Sequence, residues 1–160
     1  MTEELGVLAR RRIEAEIIKP IYEEMRKAIG EEKAREILRA AIRRAAIAAG
    51  AELAARAPSG ADLESFKSIF SLWTQDDALT IEVLRDEPGR FDFNVTRCRY
   101  AETYRAIGLG HLGDILSCDR DGAFCEGYDP RIELIRTQTI MGGANACDFR
   151  YRAKAERTGE

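Results

Sequence analysis

A single histidine, His111, stands among 160 residues. No site within one chain can therefore use two imidazoles, which excludes a zinc centre with two or three histidines and an HExxH peptidase. Basic excess is also missing: 25 Lys and Arg against 28 Asp and Glu leave a net charge of −3. Nucleic-acid and anionic-membrane surfaces need a positive field, so neither partner is expected. No apolar run approaches the roughly 18 residues of a bilayer span. Gly108-Leu109-Gly110 and Gly142-Gly143 lack the spacing of a Rossmann or Walker phosphate loop. The N-terminus, MTEELGVLARRR, is acidic first and has no apolar centre, so no signal peptide and a cytoplasmic location are expected.

What remains for chemistry is thiols, carboxylates and arginines. The four cysteines, Cys98, Cys118, Cys125 and Cys147, all follow residue 97 and contain no CxxC pair. A zinc knuckle or thioredoxin-like motif is therefore not expected, and a reducing compartment would keep the four as thiols. A cysteine with no further role packs as a small buried hydrophobe.

The first third reads as helix. Leu5, Leu8, Ile13, Ile17, Ile18 and Ile21 recur at amphipathic spacing, with Pro20 expected to kink or split the pattern. Gly30 followed by Glu31 and Glu32 marks a fresh helix start, and an alanine-rich helix to about Arg56 permits close helix–helix approach. Residues 1–57 are thus expected to be a helical scaffold or the contact of a homo-oligomer, without chemistry of their own. Residues 58–160 are expected to be the catalytic-type domain.

After the break at Ala57-Pro58-Ser59-Gly60, a third helix is expected over about 62–73. Alternation over 79–83 and 91–95 around Asp86-Glu87-Pro88-Gly89 reads as a β-hairpin. Helices over about 100–107 and 110–117, a loop over 119–130, and strands over 132–141 and 146–152 complete the pattern. The fold class is α+β, with helices on one face of an antiparallel sheet of about four strands.

Strand parity places Cys98 with Asp92, Asn94 and Thr96, opposite the apolar row of Phe91, Phe93 and Val95. Cys147 shares parity with Phe149 and Tyr151. Cys118 stands at the end of its helix, where Arg120 or another cation would be needed to favour a thiolate. Arg136 interrupts an apolar strand row and needs a partner or a carboxylate ligand. His111 reads as a surface residue, and Cys125 as an expendable loop residue.

The stretch NVTRCRYAETYRAIGLGHLGDILSCDRDGAFCEGYDPRIELIRTQTIMGGANACDFRY carries a recognisable series. It runs from Cys98 with Tyr100 and Tyr104, through Gly108-Leu109 and Cys118-x-x-Asp121, to Arg136-Thr137 before Thr139, Gly143 and Cys147-Asp148-Phe149. Over about residues 66–152 this resembles the L-2-amino-thiazoline-4-carboxylic acid hydrolase family. The resemblance implies hydrolysis of a C–N or C–S bond at an amidine-like carbon of a small-molecule substrate. Set against that chemistry, Cys118 is the preferred nucleophile, with Cys98 a second candidate and Asp121 the acid/base. Arg136, Asp148, Tyr100 and Cys147 form the substrate-binding set. A single divalent metal held by Cys98, Cys118 and Cys147, or no cofactor, stays open at this level. The rival is a non-enzymatic small-ligand-binding or sensing module with a helical stalk. The enzyme requires Cys98, Cys118, Asp121 and Arg136 around one cavity, and the sensor requires an apolar pocket without them.

Overall fold

The computed structural model describes residues 5–154. Two long helices, α1 (Val7–Ile29) and α2 (Glu31–Ala55), are followed by the short helices α3 (Leu63–Ile69) and α4 (Ser71–Thr74). Strands β1 (Leu79–Glu87) and β2 (Arg90–Cys98) lead into α5 (Arg99–Ala106). A 3-10 turn at Gly110–Leu112 and a π-helical turn at Asp114–Cys118 run into α6 (Asp119–Tyr128), and β3 (Ile132–Ile135) and β4 (Cys147–Ala153) close the fold. The four strands form one antiparallel sheet in the order β1-β2-β4-β3. The α+β class expected from the periodicity is the class observed.

Several elements depart from the sequence pattern. Pro20 lies inside one unbroken helix and does not split it. The stretch expected to be a loop over 119–130 is helical to Tyr128. Its acids explain the start: Asp119 and Asp121 occupy the first turn, where the helix dipole favours negative charge. Its buried face, Ala123, Phe124, Cys125 and Tyr128, supplies the rest of the stabilisation. Cys125 is 2% exposed and belongs to the main core, so it is not an expendable loop residue. The strand expected over 132–141 stops at Ile135. Beyond it, Asp148 accepts hydrogen bonds from the Thr137 and Gln138 amides at 2.9 Å each and from the Thr137 hydroxyl, which fixes an irregular loop instead.

The inner sheet face is aromatic. Phe91 pairs with Tyr151, Phe93 with Phe149, and Val95 with Cys147, and all six are buried. Phe93 and Phe149 stack at 4.8 Å, and α3 adds Phe66, 5.0 Å from the Tyr151 ring. On the outer face, Asp92 is buried between Arg90 and Arg152, and these cations hold its carboxyl below the usual range against the effect of burial. The β1–β2 turn uses Pro88 followed by Gly89 at φ 76°, the left-handed position that favours glycine in a type II turn.

The sheet's companion is the crossing of α2 and α6. A Cβ on Gly50 would lie 2.1 Å from the Phe124 carbonyl oxygen, and one on Gly127 would lie 1.9 Å from that of Ile47. Each helix thus presents a bare glycine to the other's backbone. Gly127→Ala is expected to destabilise the protein by about 3 kcal/mol or more, because backbone atoms cannot move aside as a flexible side chain can. Gly122→Ala on the same helix meets no atom within 4 Å and is expected to stabilise by roughly 0.5–1 kcal/mol. Urea unfolding of the two variants against the parent checks this contrast, and equal stabilities would contradict the close crossing.

Candidate active site

A cavity of about 360 Å³ opens between the inner sheet face, α6, the C-terminal half of α2 and the first turn of α1. Cys98, Cys118, Asp121, Arg136, Tyr100 and Cys147 all line it. Three local features of the backbone bring them there.

The first is a bulge in β2. Thr80 pairs with Arg97 and Ile81 with Val95, so Thr96 is the extra residue. One inserted residue reverses the alternation beyond it. Cys98 therefore leaves the polar row that simple parity assigns to it and joins Val95 on the inner face. There its sulfur accepts the Ala101 amide at 3.4 Å and caps α5.

The second feature is the change of helical pitch before α6. Cys118 is not at a helix end, as the sequence indicated, but in the π-helical turn that runs directly into α6. Asp121 follows within the first turn of α6 and faces the same cavity.

The third is the end of β3. Freed from the ladder, Arg136 donates to Asp121 at 2.7 Å through Nη1 and to the Cys118 carbonyl at 3.1 Å through Nη2. Its guanidinium lies 5.0 Å from the centroid of the Phe149 ring. The side chains of Arg136 and Asp121 keep 16% and 25% exposure, so the pair borders the cavity rather than being sealed in the core.

Burial dominates the electrostatics. It holds the Asp121 carboxyl above the usual carboxylate range, although Arg136 works against the shift. It also works against charge on Arg136, but Asp121 more than offsets this and keeps the guanidinium protonated. The Cys118 thiol is pushed well up by burial and then by the Asp121 charge, with Arg136 opposing. Cys98 and Cys147 are raised by burial against their amide hydrogen bonds, and Cys125 is pushed up to about 12. Tyr100 is raised for the same reason, and its hydroxyl donates to the Trp73 carbonyl at 3.1 Å. The Asp121 charge adds to the rise of all three cavity thiols, yet among the described residues no group of three or more His, Cys, Asp and Glu is arranged to hold a metal ion.

Other sequence candidates lie elsewhere. Asp148 faces away from Cys147 and Phe149; burial opposes its ionisation, but Thr137 and the loop amides hold its carboxyl below the usual range. Arg97, which precedes Cys98, is exposed and paired with Glu102 at 2.9 Å. His111 is exposed, and its carbonyl accepts from Arg35 at 2.9 Å. Arg120 lines the cavity but donates to the Leu116 carbonyl at 2.7 Å and to Glu14 at 3.1 Å.

The first third, expected to be scaffold alone, also takes part in the cavity. Arg10, Arg11, Ala46, Ala49, Leu53 and neighbouring residues form one wall of the cavity. Arg11 is paired with Glu14 at 3.1 Å, and Glu14 also holds Arg120. The only signal was Arg11 and Glu14 one turn apart on an amphipathic helix, a spacing shared by many solvated helices.

A half-buried acid held by an arginine beside thiols, in a cavity of an α+β domain, describes a class of candidate enzymes. The family model of L-2-amino-thiazoline-4-carboxylic acid hydrolase matches residues 10–151, and the chain belongs to this family. Among solved structures, the phenol-responsive sensory domain of the transcription activator PoxR, determined with phenol, superimposes with a TM-score of 0.52 at 13% identity. The match covers 95% of this chain and 76% of that chain, and it shows a shared fold. No curated protein matches the chain. No helix among the described residues is long and apolar enough to cross a membrane.

The raised thiols predict slow chemistry with a thiol reagent. At neutral pH the native protein is expected to react with a disulfide reagent far more slowly than the unfolded chain, which exposes all four cysteines. The native rate should climb as the pH rises. A native thiol that reacts at neutral pH as fast as free cysteine would contradict the burial argument.

Proposed function

We propose that the protein hydrolyses a small cyclic amidine or isothiourea at the amidine carbon, opening the ring as the family's namesake reaction does. The observation that carries this reading is the convergence of Asp121, Arg136, Cys118 and Cys98 on one cavity. Asp121 is the proton carrier: a carboxylate whose proton affinity is raised by burial is a better base than an ordinary one and a usable acid in the next step. Arg136 keeps that carboxyl oriented and limits the rise.

Cys118 is protonated at rest, so it attacks as its proton passes to Asp121. A carbon–sulfur bond forms between Cys118 and the amidine carbon. The ring C–S bond then breaks, and the leaving sulfur takes the proton back from Asp121. Water adds to the same carbon with Asp121 accepting one of its protons, the bond to Cys118 breaks with return of that proton to the thiol, and the remaining hydroxyl proton passes to the amidine nitrogen as the C=O forms. The net change is addition of one water, giving a urea and a free thiol. Tyr100 and Cys147 border the substrate in this reading.

The sensing module is the second reading, and the aromatic wall of the cavity favours it. Kinetics separates the two. On 2-amino-thiazoline-4-carboxylate, Asp121→Asn is expected to lower kcat by about 10²–10⁴-fold. Cys118→Ala is expected to abolish covalent turnover, and His111→Ala to leave the rate unchanged. The wild-type rate should rise with pH through a midpoint above about 3.9, the ordinary aspartic value, because the base must be ionised. Unchanged turnover in both Asp121→Asn and Cys118→Ala would overturn the assignment.

A further inference from the structure

The compact zwitterionic ring of the namesake substrate does not account for the rest of the cavity wall. About 360 Å³ falls within the range of roughly 300–1,000 Å³ typical of pockets for drug-sized ligands. Phe66, Phe70, Trp73, Phe124, Phe149 and Tyr151 line this space. Their rings touch in a continuous series: Trp73 meets Phe124 edge to face at 5.0 Å and Phe66 at 6.1 Å, and Phe66 meets Tyr151 at 5.0 Å. Phe124 follows Asp121 by one turn of α6, so the acid and the aromatic wall serve one chamber. Phe66, Phe70, Phe124, Phe149 and Tyr151 are 3%, 9%, 7%, 8% and 2% exposed, so among these rings the surface open to a ligand is chiefly that of Trp73, which a polar zwitterion would leave wet. Trp73 is half-buried although it is surrounded by rings, and it lines the chamber.

The cavity is also richer in cations than in carboxylates. Arg11 and Arg120 share Glu14, Arg136 is matched by Asp121, and Arg56 by Glu52, while Arg10 adds a further cation at the wall. The ligand that fits is an anion with an apolar, flat extension.

We infer that the substrate of this site carries an aryl group beside the amidine ring and carboxylate, and that the Phe66–Trp73–Phe124 wall receives it. The inference rests on the hydrolase reading for the ring and its carboxylate; the aromatic wall alone carries the aryl group.

The probes are 2-amino-thiazoline-4-carboxylate and its 5-phenyl derivative. Trp73 is the chain's single tryptophan, so its fluorescence reports occupancy of the wall, and calorimetry measures the same affinities independently. The phenyl compound is expected to bind at least tenfold tighter than the parent. Phe124→Leu should remove most of that difference while leaving the parent's affinity near wild type. Equal or weaker binding of the phenyl compound, or no binding of either, overturns the inference. Tight binding of the phenyl compound without turnover of either ring would support the aryl subsite and overturn the hydrolase reading, so the two failures are distinguishable.

Discussion

The close crossing of α2 and α6 is the constraint on which the site depends. Gly50 and Gly127 let each backbone reach the other, at a distance no side chain would allow. The same helix α6 carries Asp121, Phe124 and Cys125 on its inward side, so the depth at which it seats fixes both the acid and part of the aromatic wall. Close packing of this kind transmits small displacements instead of absorbing them. A larger residue at the crossing would therefore move chemistry as well as cost stability.

Within that frame, burial sets the protonation states. Every cysteine is raised, which argues against a resting thiolate, and in the proposed mechanism the neighbouring acid takes the proton. Asp121 is raised by the same surroundings and restrained by Arg136. A half-buried ion pair of this type is weak evidence of stability, because desolvation offsets much of the attraction. Its value here is positional: Arg136 ties the carboxyl of α6 to the carbonyl of Cys118 and so holds acid and thiol in one orientation.

Much of the fold was legible where local chemistry and tertiary packing agree. The alternation of Phe91, Phe93 and Val95 and the Pro88-Gly89 turn specify the first hairpin, and Gly30 with Glu31 and Glu32 marks the α1–α2 break. The failures share one cause: a decision made by non-local contacts. Thr96 gives no local sign that it will be the bulged residue, yet that bulge moves Cys98 to the inner face. The DRDGAF stretch has loop composition, and becomes helix because Gly127 and the buried face of α6 find α2. The β3 pattern continues past Ile135, but Arg136 turns away to reach Asp121. Arg11 looked like one more solvated cation until α1 was seated against the cavity. The pairing of Cys118 with Asp121 came from the family resemblance, whereas Phe124 lay in the stretch expected to be a loop.

The most direct measurement is the carboxyl ¹³C shift of Asp121 followed against pH in the intact protein, with the resonance assigned by its loss in Asp121→Asn. The account predicts a midpoint above the ordinary aspartic value of about 3.9, moving higher still in Arg136→Gln, where the opposing cation is gone. A midpoint at or below that ordinary value in the wild-type protein, unmoved by Arg136→Gln, would contradict Asp121 as the proton carrier of this cavity.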